Sequence, residues 1–465
     1  MRTNSRMTRC AAIGVSLALF LAACGSDDDA GDDTNGTEQT TTTAADGTDT
    51  TDGTDDEEAQ AVAPEDNEGR TEGDGELVIG VVLPQSGNLA QLGPPMIAGA
   101  EMAARDINEA GGVLGQDVRL IIKDDGGAGD DDLAITSVDE LINNDNVDAI
   151  VGAAASGTTK AIIDRVTSSG TVQCSPSNTG SDLTTWDDKG LYFRTPPADN
   201  LQAQALGKAI TDDGHTDVAI ISQNTDYGTG FVRFLEPMLS DSGATIVENV
   251  TYDETGTGID SEVERIVGSN PDAIALIGYP EDGGRVVAEL RRQGVDLTET
   301  RVYVTDGMQS NELYQAVDES DPASTVGIRG TAPSAAPESG ASFFPDAFAE
   351  FRPEVASPIY SAQAYDCVML IALAAAKAQS DAPYDIALEI TNVSGGESDD
   401  SEKCETFSDC LAIIGEEGGG DLDYDGASGV GDFSPFGEPS AGEYEVYEFA
   451  DDGSYSEIDR VVVGE

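Results

Sequence analysis

The sequence predicts an α/β protein built as two Rossmann-like, doubly wound lobes. Three observations carry this. Short β-branched apolar runs alternate with longer amphipathic stretches, the pattern of a parallel sheet connected by crossover helices. The alternation starts near residue 76, and a second block of it opens near Asn200. The roughly 390 residues involved exceed what one hydrophobic core usually organises.

The first strand is expected at Leu77 to Leu83. A helix from about Pro94 follows, with Ile97, Ala100, Ala104 and Ile107 on one face. Pro94 and Pro95 suit its opening, and Gly111 and Gly112 its end. Strands at Val118 to Ile122, Ala149 to Val151, Thr171 to Cys174 and Tyr192 to Arg194 alternate with helices at Leu133 to Ile142 and Thr159 to Thr167. The second block has strands at Val218 to Ile221, Ile246 to Val250, Ala273 to Ile277 and Val302 to Val304, with helices near Asn200, Phe231, Val263, Val287 and Leu313. A nearly apolar helix from Ser361 to Ala378 reads as one packed on a sheet. Strand-like ends fall at Tyr444 to Phe449 and Ile458 to Val463. In doubly wound sheets ligands meet the carboxyl ends of the strands, so the strand-to-helix loops are where to look.

Residues 1–23 carry Arg2, Arg6 and Arg9 ahead of a short apolar run, a secretory signal too short for a membrane span. Small residues directly before Cys24 match a bacterial lipobox, so Cys24 is expected to carry the lipid and tether the mature chain to a membrane face. Residues 24–75 are mostly Asp, Gly, Thr and Glu, too polar to offset their ordering entropy, and read as a disordered acidic tether.

The net charge of −66 does not sit in the tether alone; about −52 of it falls on residues 76–465. Such a surface opposes nucleic acid, which is bound through Lys and Arg. Export permits disulfides. Cys404 and Cys410, six apart in a Gly- and acid-rich stretch, suit a local loop staple, whereas Cys174 and Cys367 are open to a second bridge or to buried thiols.

With a single histidine, His215, a His-centred triad or a His-rich zinc site has little material. Gly152, Gly157 and Lys160 fail the phosphate-loop spacing. What survives is a strand followed by Ser156, Gly157, Thr158 and Thr159 opening a helix, which presents hydroxyls and unpaired backbone N–H groups to an anion, unless Ser156 or Thr158 merely caps that helix. Asp421, Asp423, Asp425, Gly426 and Asp432 follow a calcium-loop spacing, but Asp stands where a bidentate Glu is required and no helix follows. No metal is placed there, and no cofactor is expected.

Pro84 to Gly87, Gly99 to Glu101, Asp106 to Asn108, Ala110 to Gly115, Asp124 and Asp125, Ala155 to Gly157, Ser175 to Thr179, Asp226 to Gly228, Arg291 to Gly294 and Ala364 to Asp366 occur in one order over residues 76–380. In these the chain resembles the leucine/isoleucine/valine-type (type I) periplasmic solute-binding proteins of ABC transporters, in lipoprotein form. The resemblance implies two lobes joined by a hinge with three crossovers, closing on a ligand like a clamshell. Lobe 1 would comprise 76–197 and 330–391. Lobe 2 would comprise 198–329 and 392–465, the latter with a Cys-containing C-terminal extension. Cys174 and Cys367 would then share a lobe, which favours their bridge.

By the same resemblance, Ser156, Ser177 and Thr179 meet a ligand carboxylate, Tyr227 and Tyr279 line the cleft, and Asp306 receives an ammonium. A zwitterion needs an anion site and a carboxylate together, because buried charges need partners. The function implied is capture of an amino acid, branched-chain or related, outside the cytoplasm by a monomer that serves a membrane ABC permease. The alternative is a sensor lipoprotein for amides, urea or short peptides. Neither is an enzyme, and no nucleophile-base constellation stands out in the sequence.

Overall fold

The computed structural model describes Ala61, Pro64 and residues 72–464 other than 256, 257, 339, 356, 397, 399, 416–419 and 430. The signal segment, Cys24 and all of the tether before residue 72 save Ala61 and Pro64 lie outside the described residues. The folded body is anchored at its start: the backbone N–H groups of Asp74 and Gly75 donate to Asp381 Oδ2 at 3.1 and 2.7 Å.

Among the described residues the first sheet has five parallel strands, β1 (Val78–Leu83), β2 (Arg119–Asp124), β3 (Ala149–Gly152), β4 (Val172–Ser175) and β5 (Tyr192–Arg194), in the order β2-β1-β3-β4-β5. Helices α1 (Gly93–Glu109), α2 (Asp131–Glu140) and α3 (Ser156–Ser168) make the crossovers. β1 and β3 are buried throughout, as continuous apolar runs covered on both faces must be. Pro94 and Pro95 open α1 where their missing N–H groups cost nothing.

The second lobe runs through α4 (Asp199–Asp212), β6 (Asp217–Gln223), α5 (Asp226–Asp241), β7 (Thr245–Tyr252), α6 (Asp260–Gly268), β8 (Ala273–Ile277), α7 (Pro280–Arg292), β9 (Arg301–Val304), α8 (Leu313–Asp318) and β10 (Ile328–Pro333). The chain returns through α9 (Phe344–Phe351), α10 (Ser361–Ala378), α11 (Pro383–Gly395), β11 (Glu402–Cys404), α12 (Phe407–Ile414) and β12 (Leu422–Tyr424). It ends in the hairpin β13 (Gly442–Phe449) and β14 (Tyr455–Val463). The second sheet has the order β14-β13-β10-β9-β8-β6-β7, parallel from β7 to β10 and antiparallel at β13 and β14. The chain passes between the sheets three times, after β5, after β10 and after β12.

Two lobe boundaries differ from the sequence reading. β10 pairs with β9 and β13, so the stretch to Pro333 belongs to the second lobe. Residues 392–424, expected in that lobe, pack instead on the first: α11 lies on α10, and Cys404, Phe407, Cys410 and Tyr424 join the core that holds α1 and α10. The physical reason is apolar area. α12 is mostly hydrophobic, α10 is buried on almost every face, and the two cover each other. Each Leu, Ile or Phe so buried contributes about 1.5–3 kcal/mol. Among the described residues no helix is long and apolar enough to cross a membrane.

Both disulfides are formed: Cys174 on β4 with Cys367 on α10, and Cys404 with Cys410. In the acidic loop, Lys403 Nζ lies 3.6 Å from Asp423 and 2.8 Å from Asp425, and Asp421 accepts from Ser398 Oγ. These carboxylates serve a local strand pair.

Candidate ligand-binding site

In both sheets the strand order reverses at one place, between β1 and β3 in the first lobe and between β6 and β8 in the second. A crevice opens beyond the carboxyl ends of the strands at such a switch point. The six residues singled out in the sequence all stand there. Ser156 follows β3, Ser177 and Thr179 follow β4, Tyr227 follows β6, Tyr279 follows β8 and Asp306 follows β9. They line one cavity of about 20 Å³ together with Leu89, Leu92, Ala154, Ala155, Gly307 and Tyr360. That space holds little more than one water molecule, so a ligand enters only when the walls part.

The first-lobe wall is polar and helix-based. Ala155, not Ser156 or Thr158, is the N-cap of α3, and it has no side-chain cap. Thr158 Oγ1 instead donates to Gly127 O at 3.2 Å, and Ser156 Oγ accepts from the Gly180 N–H at 3.1 Å. The first N–H groups of α3 therefore lack the usual capping oxygen, and the helix dipole adds partial positive charge there. Ser177 Oγ donates to Ala154 O at 3.0 Å, and Asn178 Nδ2 donates to Ala153 O and Ala154 O, so the 177–180 loop is pinned to the end of β3. Arg194, wholly buried, holds that loop from behind: its Nη1 donates to Gly180 O at 2.9 Å and its Nη2 to Thr184 Oγ1 at 2.7 Å, while Glu438 Oε2 neutralises it.

The second-lobe wall is aromatic and acidic. Tyr227 and Tyr279 stack with centroids 5.4 Å apart. Gly307 permits this, since a Cβ there would lie 3.2 Å from Tyr279 Cδ1 and 3.3 Å from Tyr227 Cε1. Asp306 is 4 % exposed. The Tyr227 hydroxyl donates to its Oδ1 at 2.9 Å and lies 2.6 Å from Thr305 Oγ1, and the Tyr360 hydroxyl donates to Oδ2. Tyr447 Oη from β13 donates to Thr305 O at 3.0 Å and steadies the turn. Among the described residues no Lys, Arg or His pairs with Asp306. Burial accordingly raises its pKa, against the lowering effect of the Tyr360, Tyr227 and Gln202 hydrogen bonds.

Tyr360 was not legible in the sequence. It stands in the left-handed region (φ 59°) as the N-cap of α10, 54 residues from the carboxylate it serves, and no local motif marks it. Gln202 escaped notice for the same reason.

The lobes also meet at the rim of the cleft. Lys160 of α3 lies 3.0 Å from Asp182 and 3.5 Å from Asp226 of α5, and Arg233 of α5 lies 3.1 Å from Asp182.

A periplasmic binding protein family model matches residues 76–398. The chain belongs to the periplasmic binding protein family. It is 26 % identical over 242 residues to the Leu/Ile/Val-binding protein BraC3 of Rhizobium johnstonii, an alignment covering 51 % of this chain and 64 % of that relative, just under two thirds of its length. It is 28 % identical over 392 residues to BasB of Halobacterium salinarum, a substrate-binding protein of a chemotactic signal transduction system, covering 81 % of this chain and 88 % of the relative. Among solved structures it is similar to the leucine-binding protein LivK from Thermotoga maritima, with a TM-score of 0.68 at 21 % identity over 83 % of this chain and 98 % of that one. The bilobed α/β fold is the one that such binding proteins share.

Proposed function

We propose that this periplasmic binding protein captures an amino acid, branched-chain or related, outside the cytoplasm and presents it to a membrane ABC permease, tethered by a lipid on Cys24. One observation carries the ligand class: a buried carboxylate, Asp306, has only hydroxyl and amide partners among the described residues and faces an uncapped helix start bearing Ser156. An α-amino acid supplies the missing ammonium for the first and a carboxylate for the second, with Ser156, Ser177 and Thr179 as hydroxyl contacts. Leu89, Leu92 and the Tyr227–Tyr279 stack leave an apolar remainder that suits an aliphatic side chain. The names of relatives such as BraC3 agree with that chemistry.

Closure of two lobes on a ligand needs no bond chemistry; the affinity difference between open and closed forms does the work. One chain contains both walls, so a monomer suffices. The test is a thermal-shift screen of protein starting at Glu72 against amino acids, amides and urea, since a ligand that binds only the native state raises its melting temperature. A rise with leucine, isoleucine or valine supports the reading, and a rise confined to amides, urea or short peptides replaces it.

A second reading, a sensor component, is favoured by the BasB match across 81 % of the chain. Co-isolation from membranes of the producing cell separates the two: a permease partner supports transport, and a signalling receptor supports sensing.

A further inference from the structure

Between Cys24 and Leu77 the sequence holds one branched apolar residue, Val62, and one proline, Pro64; every other position there is polar, charged, Gly or Ala. Both fall in the stretch 59–64, the one part of the tether with apolar surface to bury. A segment that only has to stay solvated needs no such stretch.

The end of the stretch has a place on the body. Ala61 and Pro64 are both half-buried. Pro64 lines a cavity of about 50 Å³ on the first lobe, together with Trp186 ahead of β5, Tyr192 and Phe193 on β5, Ala387 of α11 and Phe436 of the third crossover. The aromatic rings of this groove are held from behind. Trp186 Nε1 donates to Asp164 Oδ1 at 2.8 Å, the Tyr192 hydroxyl donates to Asn178 Oδ1 at 2.9 Å, and Phe193 stacks on Phe433 with centroids 6.5 Å apart. Covering rings already fixed costs little further side-chain entropy. Proline suits them, since its own ring has no rotamer freedom to lose and extended Pro-containing segments dock on aromatic-lined grooves.

The chain is long enough to join the groove to the start of the fold. Asp74 and Gly75 are held by Asp381, just ahead of α11. From Pro383 to Ala387 that helix rises about 6 Å, whereas the ten residues from Pro64 to Asp74 can span about 33 Å.

We propose that residues 61–64 are a docking segment and that the Trp186 groove is its receptor, so that the tether is pinned to the first lobe ahead of the fold. With a lipid on Cys24, the spacer between membrane and body is then residues 25–60, roughly 33 Å in root-mean-square length for a flexible chain. The body hangs from the groove and not from β1. That orientation rests on the lipid reading above; the docking does not.

Trp186 is the one tryptophan of the chain, so its fluorescence reports on the groove alone. The test compares the mature chain carrying Cys24→Ser, which takes no lipid, with the same chain carrying Val62→Asp and Pro64→Asp. The two charges are expected to shift the emission to the red and to raise the acrylamide quenching constant about twofold, since a segment of the same chain at roughly millimolar effective concentration is docked in most molecules beforehand. Thr50→Asp with Thr51→Asp, which adds the same charge nearer the lipid, is expected to change neither. Unaltered emission and quenching in the Val62 and Pro64 variant overturn the proposal, as does an equal change in the threonine variant. A quenching constant of the unsubstituted segment that rises on dilution also overturns it, by assigning the groove to the tether of a second copy. Should the charged pair not fold, Val62→Gly with Pro64→Gly gives the same two readouts.

Discussion

Tyr360, contributed by the turn before α10, donates its hydroxyl to Asp306, contributed by the turn after β9. The bond joins the two lobes across the hinge and aims the carboxylate into the cavity that both residues line. A hydrogen bond to a charged group contributes about 1.5–3 kcal/mol. Tyr360→Phe is expected to weaken leucine by about that amount, and Asp306→Asn by about 2–5 kcal/mol, because the latter removes the charge itself. Calorimetry reads both. Ser156→Ala, which removes one hydroxyl from the carboxylate side, is expected to cost about 1.5–3 kcal/mol. The losses should fall chiefly on the release rate, since these contacts are complete only with the lobes together.

The rim pairs predict a salt-dependent latch. Lys160 and Asp226 stand on opposite lobes, as do Arg233 and Asp182. Asp226 and Arg233 are more than half exposed, so each pair is worth at most about 1 kcal/mol. Lys160→Met is expected to speed leucine release a few-fold at low ionic strength. The difference should vanish by about 1 M salt, where the Debye length is about 3 Å. Stopped-flow release at two salt concentrations measures it, and an equal effect at both would show packing rather than charge.

The disulfides differ in what they hold. Cys174–Cys367 closes a separation of 193 residues and ties β4 to α10 just behind the Ser177 loop. Cys404–Cys410 closes six residues within the tail. Chain-entropy arguments give about 5 kcal/mol for the long loop and about half that for the short one. Replacing Cys174 and Cys367 by Ala is therefore expected to lower the denaturation midpoint most and to weaken leucine, while replacing Cys404 and Cys410 should loosen the tail with little effect on binding. Guanidinium denaturation with calorimetry on each double variant decides between them.

The elements legible in the sequence were those with a single physical signature. β1, β3, β6, β8 and β9 are short apolar runs because both faces are covered, and α1 shows its stripe because one face is not. β10 was missed because Ile328–Pro333 has no such run. Arg329 reaches out to Asp213 and Glu448, and Gly330 makes room for the Tyr447 ring, so the strand is held by its neighbours rather than by its own pattern. α12 and β12 were hidden by the Gly- and acid-rich stretches around them. Their partner is α10, far back in the chain, and no local period records that. Within the site, Ser156 and Asp306 stand in recognisable strand-end turns, whereas Tyr360 reaches the cavity from the start of α10 with no local motif to mark it.

Several buried acids also fix how stability depends on pH. Asp282 starts α7 beside Tyr279. It is 2 % exposed, its Oδ2 accepts from the Tyr252 hydroxyl at 2.5 Å, and its Oδ1 has no partner among the described residues. Burial pushes it up to about 6, against the lowering effect of the Tyr252 and backbone hydrogen bonds. Asp125 and Asp188 are likewise pushed up to about 6 by burial. A raised folded-state value means that the native protein binds more protons than the unfolded chain between about pH 4 and 6, so stability must fall as pH rises through that window. Asp124, Asp182 and Asp213 run the other way, lowered by their hydrogen bonds and cations, and their contribution is lost only below about pH 4. Ligand-free protein is therefore expected to melt highest near pH 4–5 and progressively lower toward pH 8. Asp282→Asn keeps an acceptor for Tyr252 and places an amide where Oδ1 is unpartnered. Its melting temperature should match wild type near pH 4 and exceed it at pH 8, with a gain on the order of 2 kcal/mol. Melting curves at both pH values check this, and an equal displacement at the two would show that Asp282 is ionised throughout.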